Sequence, residues 1–124
     1  MAHFDLEDTY LSLNGQGGLA THPVEGFWES VDANPDILST LVSATASVED
    51  WPHWEMHPGG EEVLILLDGG MTLILDAPGG ERRVEMVPGS TCVVPRGVWH
   101  RALVSQPSKF IALTYGAGTE HRAI

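Results

Sequence analysis

The chain has no stretch of helical length with apolar residues at a 3.6-residue period, and this absence narrows the fold more than any single motif. In its place stands a series of short β-rich runs separated by turn residues: VLILLD (63–68), MTLILD (71–76), RRVEMV (82–87), TCVV (91–94), WHRALV (99–104) and FIALTY (110–115). Glycines and prolines (14 and 8) fall mainly between the runs, as hairpins and tight connections require. From Leu41 to Val48, Leu, Ser, Thr and Ser alternate with Val, Ala, Ala and Val, the period of two of a strand with one face inward. YLSL (10–13) and FWESV (27–31) read as further short strands, and NGQGG (14–18) as a turn. An all-β sandwich or barrel follows.

At 124 residues the chain builds one core. We expect an N-terminal arm with edge strands over 1–36, a barrel over 37–118 and a C-terminal tail over 119–124. Six Lys and Arg against 17 Asp and Glu leave a formal charge of −11, which repels phosphate backbones and anionic lipid. Nucleic acid and membrane are therefore excluded as partners, no segment has the ~20 apolar residues of a membrane span, and a cytoplasmic location is expected. The single cysteine, Cys92, lies in the apolar run CVV and reads as a buried structural thiol.

The chemistry concentrates in WPHWEMHPGGEEVLILLDG (51–69) and GSTCVVPRGVWHRALV (89–104). Pro52 and Pro58 bracket His53 and His57, and a proline after position 57 disfavours helical angles there. On a strand, His53, Glu55 and His57 share one face. Residues two apart lie about 6.6 Å apart along a strand and residues four apart about 13 Å, so one of the two end histidines is spare.

These two segments resemble the cupin family. Its first motif, G-x5-H-x-H-x3,4-E-x6-G, aligns as Glu55, His57, Glu62 and Gly69; its second, G-x5-P-x-G-x2-H-x3-N, as Gly89, Pro95, Gly97 and His100. The order and the 19 residues between Gly69 and Gly89 make the pair specific, and the resemblance covers some 45% of the chain, from about Glu49 to Val104. Three positions depart: Glu49 replaces the opening glycine, Val104 the closing asparagine, and Glu55 the first histidine of the pair.

The resemblance implies a double-stranded β-helix, or jelly-roll barrel, of the small single-domain bacterial type. It also implies one divalent ion (Fe, Mn, Ni or Zn) with Glu55, His57, Glu62 and His100 as candidate ligands, and a homodimer as assembly. With two carboxylates a divalent site is formally neutral; with Glu55 outside, two histidines and Glu62 resemble the facial triad of non-haem iron oxygenases. Glu55 is then a possible base, with His53 behind it. The implied function is action on a small organic molecule by oxygenase, isomerase or lyase chemistry, with dioxygenase the leading single class. The alternatives are a non-enzymatic small-molecule sensor, with or without metal, and a silent barrel that dimerises. Trp28, Trp51, Trp54 and Trp99 read as packing residues, and His3, His22 and His121 as surface residues. Thr114 and Tyr115 are placed near the pocket, with parity unable to choose between them.

Overall fold

The computed structural model describes residues 3–124. Nine strands run in chain order: β1 (Thr9–Leu13), β2 (Leu19–Pro23), β3 (Thr40–Ser47), β4 (His53–Met56), β5 (Glu62–Ala77), β6 (Gly80–Met86), β7 (Thr91–Val94), β8 (Trp99–Thr114) and β9 (Glu120–Ala123). All their pairings are antiparallel. No helix among the described residues is long and apolar enough to cross a membrane.

Two strands of 16 residues form the spine. The runs 63–68 and 71–76 do not turn back on each other at Gly69 and Gly70; they continue as β5, and β8 likewise passes through Ser105–Ser108 without ending. β5 and β8 pair from Glu62↔Thr114 to Asp76↔Trp99, with register shifts between Leu66 and Met71. Such bulges bend a pair and increase its twist, so one ribbon serves both walls of a rolled sheet. Along β8, β3 pairs with the half 108–114 and β4 with the other half at His100; along β5, β7 pairs with 62–65 and β6 with 71–77. This is the antiparallel jelly-roll barrel.

Period-two alternation packs the spine. Leu64, Leu66, Met71, Leu73 and Leu75 of β5 meet Val94 of β7 and Ala102, Phe110 and Ala112 of β8 in one buried cluster that also holds Cys92. Leu66 and Leu73 are wholly inaccessible. Each such leucine contributes roughly 1.5–3 kcal/mol relative to exposure. Burial also raises the pKa of the Cys92 thiol, as suits a structural residue.

Two further expectations change. FWESV is a short helix, α1 (Phe27–Ser30), followed by a 3-10 turn at Val31–Ala33. The Phe27 N–H is taken by the Val24 carbonyl at 3.0 Å, and Phe27 packs edge-on to Tyr10 at 5.3 Å, so a turn rather than a strand places the aromatic ring. His22 is not a surface residue: it is 4% exposed, opposite Tyr10 in the β1–β2 pair, with Nε2 2.7 Å from Ser12 Oγ. Within the C-terminal segment 119–124, Glu120–Ala123 form β9, paired with β4 from His53↔Ala123 to Met56↔Glu120.

Gly69 carries the bend. Its φ is +94°, and a Cβ there would overlap Ser108 Oγ and the Pro107 carbonyl. Gly79, at φ +95° in the β5–β6 hairpin, faces open space. Gly79→Ala should therefore lose about 1 kcal/mol to left-handed strain alone. Gly69→Ala should lose about 3 kcal/mol or more, since backbone must also move. Urea midpoints of the two variants measure the difference, and equal losses would contradict a bend that depends on close approach.

Candidate metal centre

The two motif segments meet through backbone. Glu55 on β4 sits directly opposite His100 on β8, and the Gly97 N–H donates to the His57 carbonyl at 3.1 Å, tying the PRG turn to the end of β4. Directly opposed residues hold their Cβ atoms about 4.5–5.5 Å apart. Glu62, first residue of β5, is opposite Thr114 on the far half of β8. The ligand atoms of Glu55, His57 and His100 all lie within 4.8 Å of one another. Glu62 reaches both imidazoles: Oε1 is 3.0 Å from His100 Nε2, and Oε2 is 3.2 Å from His57 Nε2. His57, Glu62 and His100 are buried, and Glu55 is partly exposed.

A count of protons shows how these atoms are poised. The single Thr119 hydroxyl proton goes to the Gly116 carbonyl at 2.8 Å, so toward His57 Nδ1, also at 2.8 Å, the Thr119 oxygen accepts. In its neutral form His57 thus carries its proton on Nδ1 and presents a bare lone pair at Nε2. That nitrogen is buried and has no hydrogen-bond partner; its contact with Glu62 lacks hydrogen-bond alignment. His100 repeats the arrangement: Nδ1 donates to the Val98 carbonyl at 3.1 Å, which only accepts, leaving Nε2 toward Glu62. Neutral imidazoles would therefore aim two lone pairs at one carboxylate. Such a contact is repulsive until a positive charge enters, as a proton on a ring or as a cation among the three groups.

Titration in the absence of metal follows from this. Burial alone would raise the Glu62 pKa, but the hydrogen bond from His100 and the nearness of His57, each ring in its protonated form, outweigh it and hold the carboxyl at about 2. For His100, burial opposes the charged ring, while the bond to Glu62, its charge and the Val98 carbonyl prevail and raise the pKa above its ordinary 6.5. Thr114 Oγ1 donates to Glu62 Oε2 at 2.6 Å and fixes the carboxylate plane.

The site opens into a cavity of about 1000 Å³. Leu41, Ser43, Thr45 and Ser47 of β3 face it, so the alternation on this strand turns its mainly polar set inward. Trp51 lines the wall between His100 and Phe110, with ring centroids 6.1 and 6.0 Å away. Trp28 of α1 reaches the same cavity from the N-terminal segment, and Thr114 and Tyr115 both line it. Trp99 instead lies against Arg122 on the other side of the sheet, the guanidinium carbon 4.7 Å from its ring centre.

Of the two histidines flanking Glu55, His57 enters the site. His53 is exposed and packs edge-to-face against His121, with ring centroids 4.7 Å apart. His121, read as a surface residue, is half exposed but lies 3.3 Å from Glu55 Oε1. Thr119 and His121 escape sequence reasoning because β9 holds its place by backbone pairing, and all four of its residues are exposed. EHRA therefore shows no apolar alternation that would mark a strand.

The fold and this geometry agree with comparisons to known proteins. A family model described as "Cupin domain" matches residues 44–114. No curated protein sequence matches the chain. Among solved structures, a cupin-2 domain-containing protein from Shewanella frigidimarina NCIMB 400 is 18% identical, with a TM-score of 0.52 over 68% of this chain and 72% of that one. A recombinant oxalate oxidase in complex with glycolate is 16% identical, with a TM-score of 0.58 over 68% of this chain and 47% of its own. Hydroxypropylphosphonic acid epoxidase from S. wedmorenis is 18% identical, with a TM-score of 0.53 over 61% of this chain and 43% of its own. The match thus spans less than half of either named enzyme. At such identities the structures speak for the fold alone. The family match covers more than half of the sequence and includes Glu55, His57, Glu62 and His100, and the protein belongs to the cupin domain family.

Proposed function

We propose that the chain binds one divalent transition-metal ion at the base of its cavity, through His57 and His100 with carboxylate from Glu55 and Glu62, and binds a small organic molecule beside it. The observation that carries the reading is the buried, unpartnered Nε2 of His57, which the Thr119–Gly116 relay leaves as a lone pair when the ring is neutral. Imidazole nitrogen with carboxylate oxygen suits Fe(II), Mn(II), Ni(II) or Zn(II). Thr119 and the Val98 carbonyl orient the two rings as partners of ligating histidines do. When bound, the ion supplies Lewis acidity and, for iron or manganese, a centre where a substrate and oxygen meet.

The chain's own groups set the rest. Thr114 holds Glu62, which faces both rings, while His121 steadies Glu55 at the partly exposed rim, where a carboxylate can take a proton from a molecule in the cavity. Metal-dependent oxidation of a small molecule is the reaction class we favour; a structural neighbour is described with Fe(II) and another with Mn(II) centres. A second reading, a metal-free binding protein, is favoured by the direct Glu62–His100 contact, which a protonated His100 satisfies without an ion.

Elemental analysis separates the two. Protein purified without chelator or metal-affinity resin should carry about one equivalent of transition metal per chain, lost in His57→Ala and His100→Ala. Thr119→Val should retain the fold and weaken metal affinity by roughly ten-fold or more. Glu55→Ala and Glu62→Ala, compared in the same way, assign the carboxylate ligands. Metal absent from the unsubstituted protein, even after incubation with Fe(II), Mn(II), Ni(II) or Zn(II), would leave the metal-free reading.

Chelator-treated protein should show a second signature. Glu62 has a folded pKa below its ordinary 4.5, so its contribution to stability is complete above that value and fades as pH falls toward about 2. His100 has a raised pKa, so its contribution is complete below 6.5 and fades as pH rises through the folded value. Denaturation midpoints should therefore peak between about pH 5 and 6, and Glu62→Gln should flatten both limbs. A profile that Glu62→Gln leaves unchanged would contradict the pairing.

A further inference from the structure

All six lysine and arginine side chains of the protein stand away from the cavity. Arg83 pairs with Glu81 at 3.1 Å, Lys109 with Glu7 at 3.3 Å and Arg122 with Asp76 at 2.7 Å. Arg101 donates to the Trp51 carbonyl at 3.2 Å and lies over the Trp54 ring. Arg82 is exposed on β6, and Arg96 lines a separate groove beside Gly60. The cavity wall instead carries three carboxylates, Asp32 toward the N-terminal segment, Glu55 at the rim and Glu62 at the base. Histidine is the one basic residue type there: His57 is committed to Thr119 and the site, and His121 and His53 to Glu55 and to each other.

The remainder of the wall divides by chemistry. β3 presents the hydroxyls of Ser43, Thr45 and Ser47; beside them Phe110, opposite Thr45 in the β3–β8 ladder, joins Leu64 and Trp51 as apolar surface. A molecule seated there meets hydroxyl donors and acceptors next to aromatic and aliphatic surface. An anion entering would meet no guanidinium or ammonium, inside a molecule whose formal charge is −11, and a divalent ion held by Glu55 and Glu62 would be a formally neutral centre rather than a positive one. Proteins that take carboxylates or phosphonates ordinarily supply bidentate arginine or a point-charge lysine.

Resting on the reading of the cavity as a small-molecule site, we infer that its ligand is a neutral or cationic organic molecule with an apolar body, and that the cavity discriminates against carboxylates and other organic anions. Aromatic faces favour the cationic form further where the charge lies over a ring.

The test is a matched trio with one body and three charges: 2-phenylethylamine, 2-phenylethanol and phenylacetate. Each is titrated at pH 8, where unperturbed imidazoles are neutral. Tryptophan fluorescence is the readout, because Trp28 and Trp51 both line the cavity. Protein as purified and protein treated with chelator are measured in parallel. The expected result is saturable binding of the amine and the alcohol, with phenylacetate weaker by at least about ten-fold in both samples and the gap narrowing as salt is added. Phenylacetate binding as tightly as the alcohol in either sample overturns the charge selectivity while leaving the cavity as a ligand site. Failure of all three to bind overturns the selectivity together with the small-molecule reading beneath it.

Discussion

The antiparallel pairing of β5 with β8 is the constraint from which the remaining geometry descends. Its ladder runs from Glu62↔Thr114 at one end to Asp76↔Trp99 at the other, and every other strand except β1, β2 and β9 pairs directly with one of the two. The bulged middle, with Gly69 packed on Ser108, turns one ribbon into two walls. Glu62 and His100 come from opposite ends of this ribbon and are 38 positions apart in sequence, yet the roll sets them in hydrogen-bond contact. Leucines from β5 fill one end of the roll, leaving the other end hollow where the polar face of β3 closes it.

At the junction of the filled and hollow halves lies a concentration of buried polar groups that an apolar core would not tolerate unpaired. The arrangement is economical in donors. Thr119 spends its proton on Gly116 and so dictates the tautomer of His57; Val98 does the same for His100; Thr114 fixes the plane of Glu62. Three neutral groups thereby determine where two lone pairs and a carboxylate point, and positive charge is the component that completes the set. A proton and a metal ion would compete for the same place, so metal binding here would be linked to the acid–base behaviour of the site.

Much of this was legible before any coordinates. The alternation in 41–48 and in the runs of β5 and β8, and the spacing of Glu55, His57, Glu62 and His100, are local properties that period and motif express directly. The errors share a cause. Gly69 and Gly70 read as a turn because a glycine pair marks a hairpin and a bulge alike, and only the partner strand decides which. His22 read as exposed because its burial depends on Tyr10 and Ser12 across a strand pair. Thr119 went unnoticed, and His121 read as a surface residue, because β9, which anchors their segment, holds by backbone hydrogen bonds and leaves no hydrophobic trace. Local pattern identified what each segment is, whereas the identity of its neighbour required the fold.

The hydroxyl face of β3 has an implication for how this barrel could change. Ser43, Thr45 and Ser47 occupy positions where larger aliphatic side chains would find apolar company in Trp51, Phe110 and Leu64. Substitutions of that kind are an accessible route to a sturdier protein, because they would convert vacant volume into packed core. They would also fill the chamber from within. Thermal robustness and open volume thus draw on the same space, and three small polar residues on one strand keep that space open.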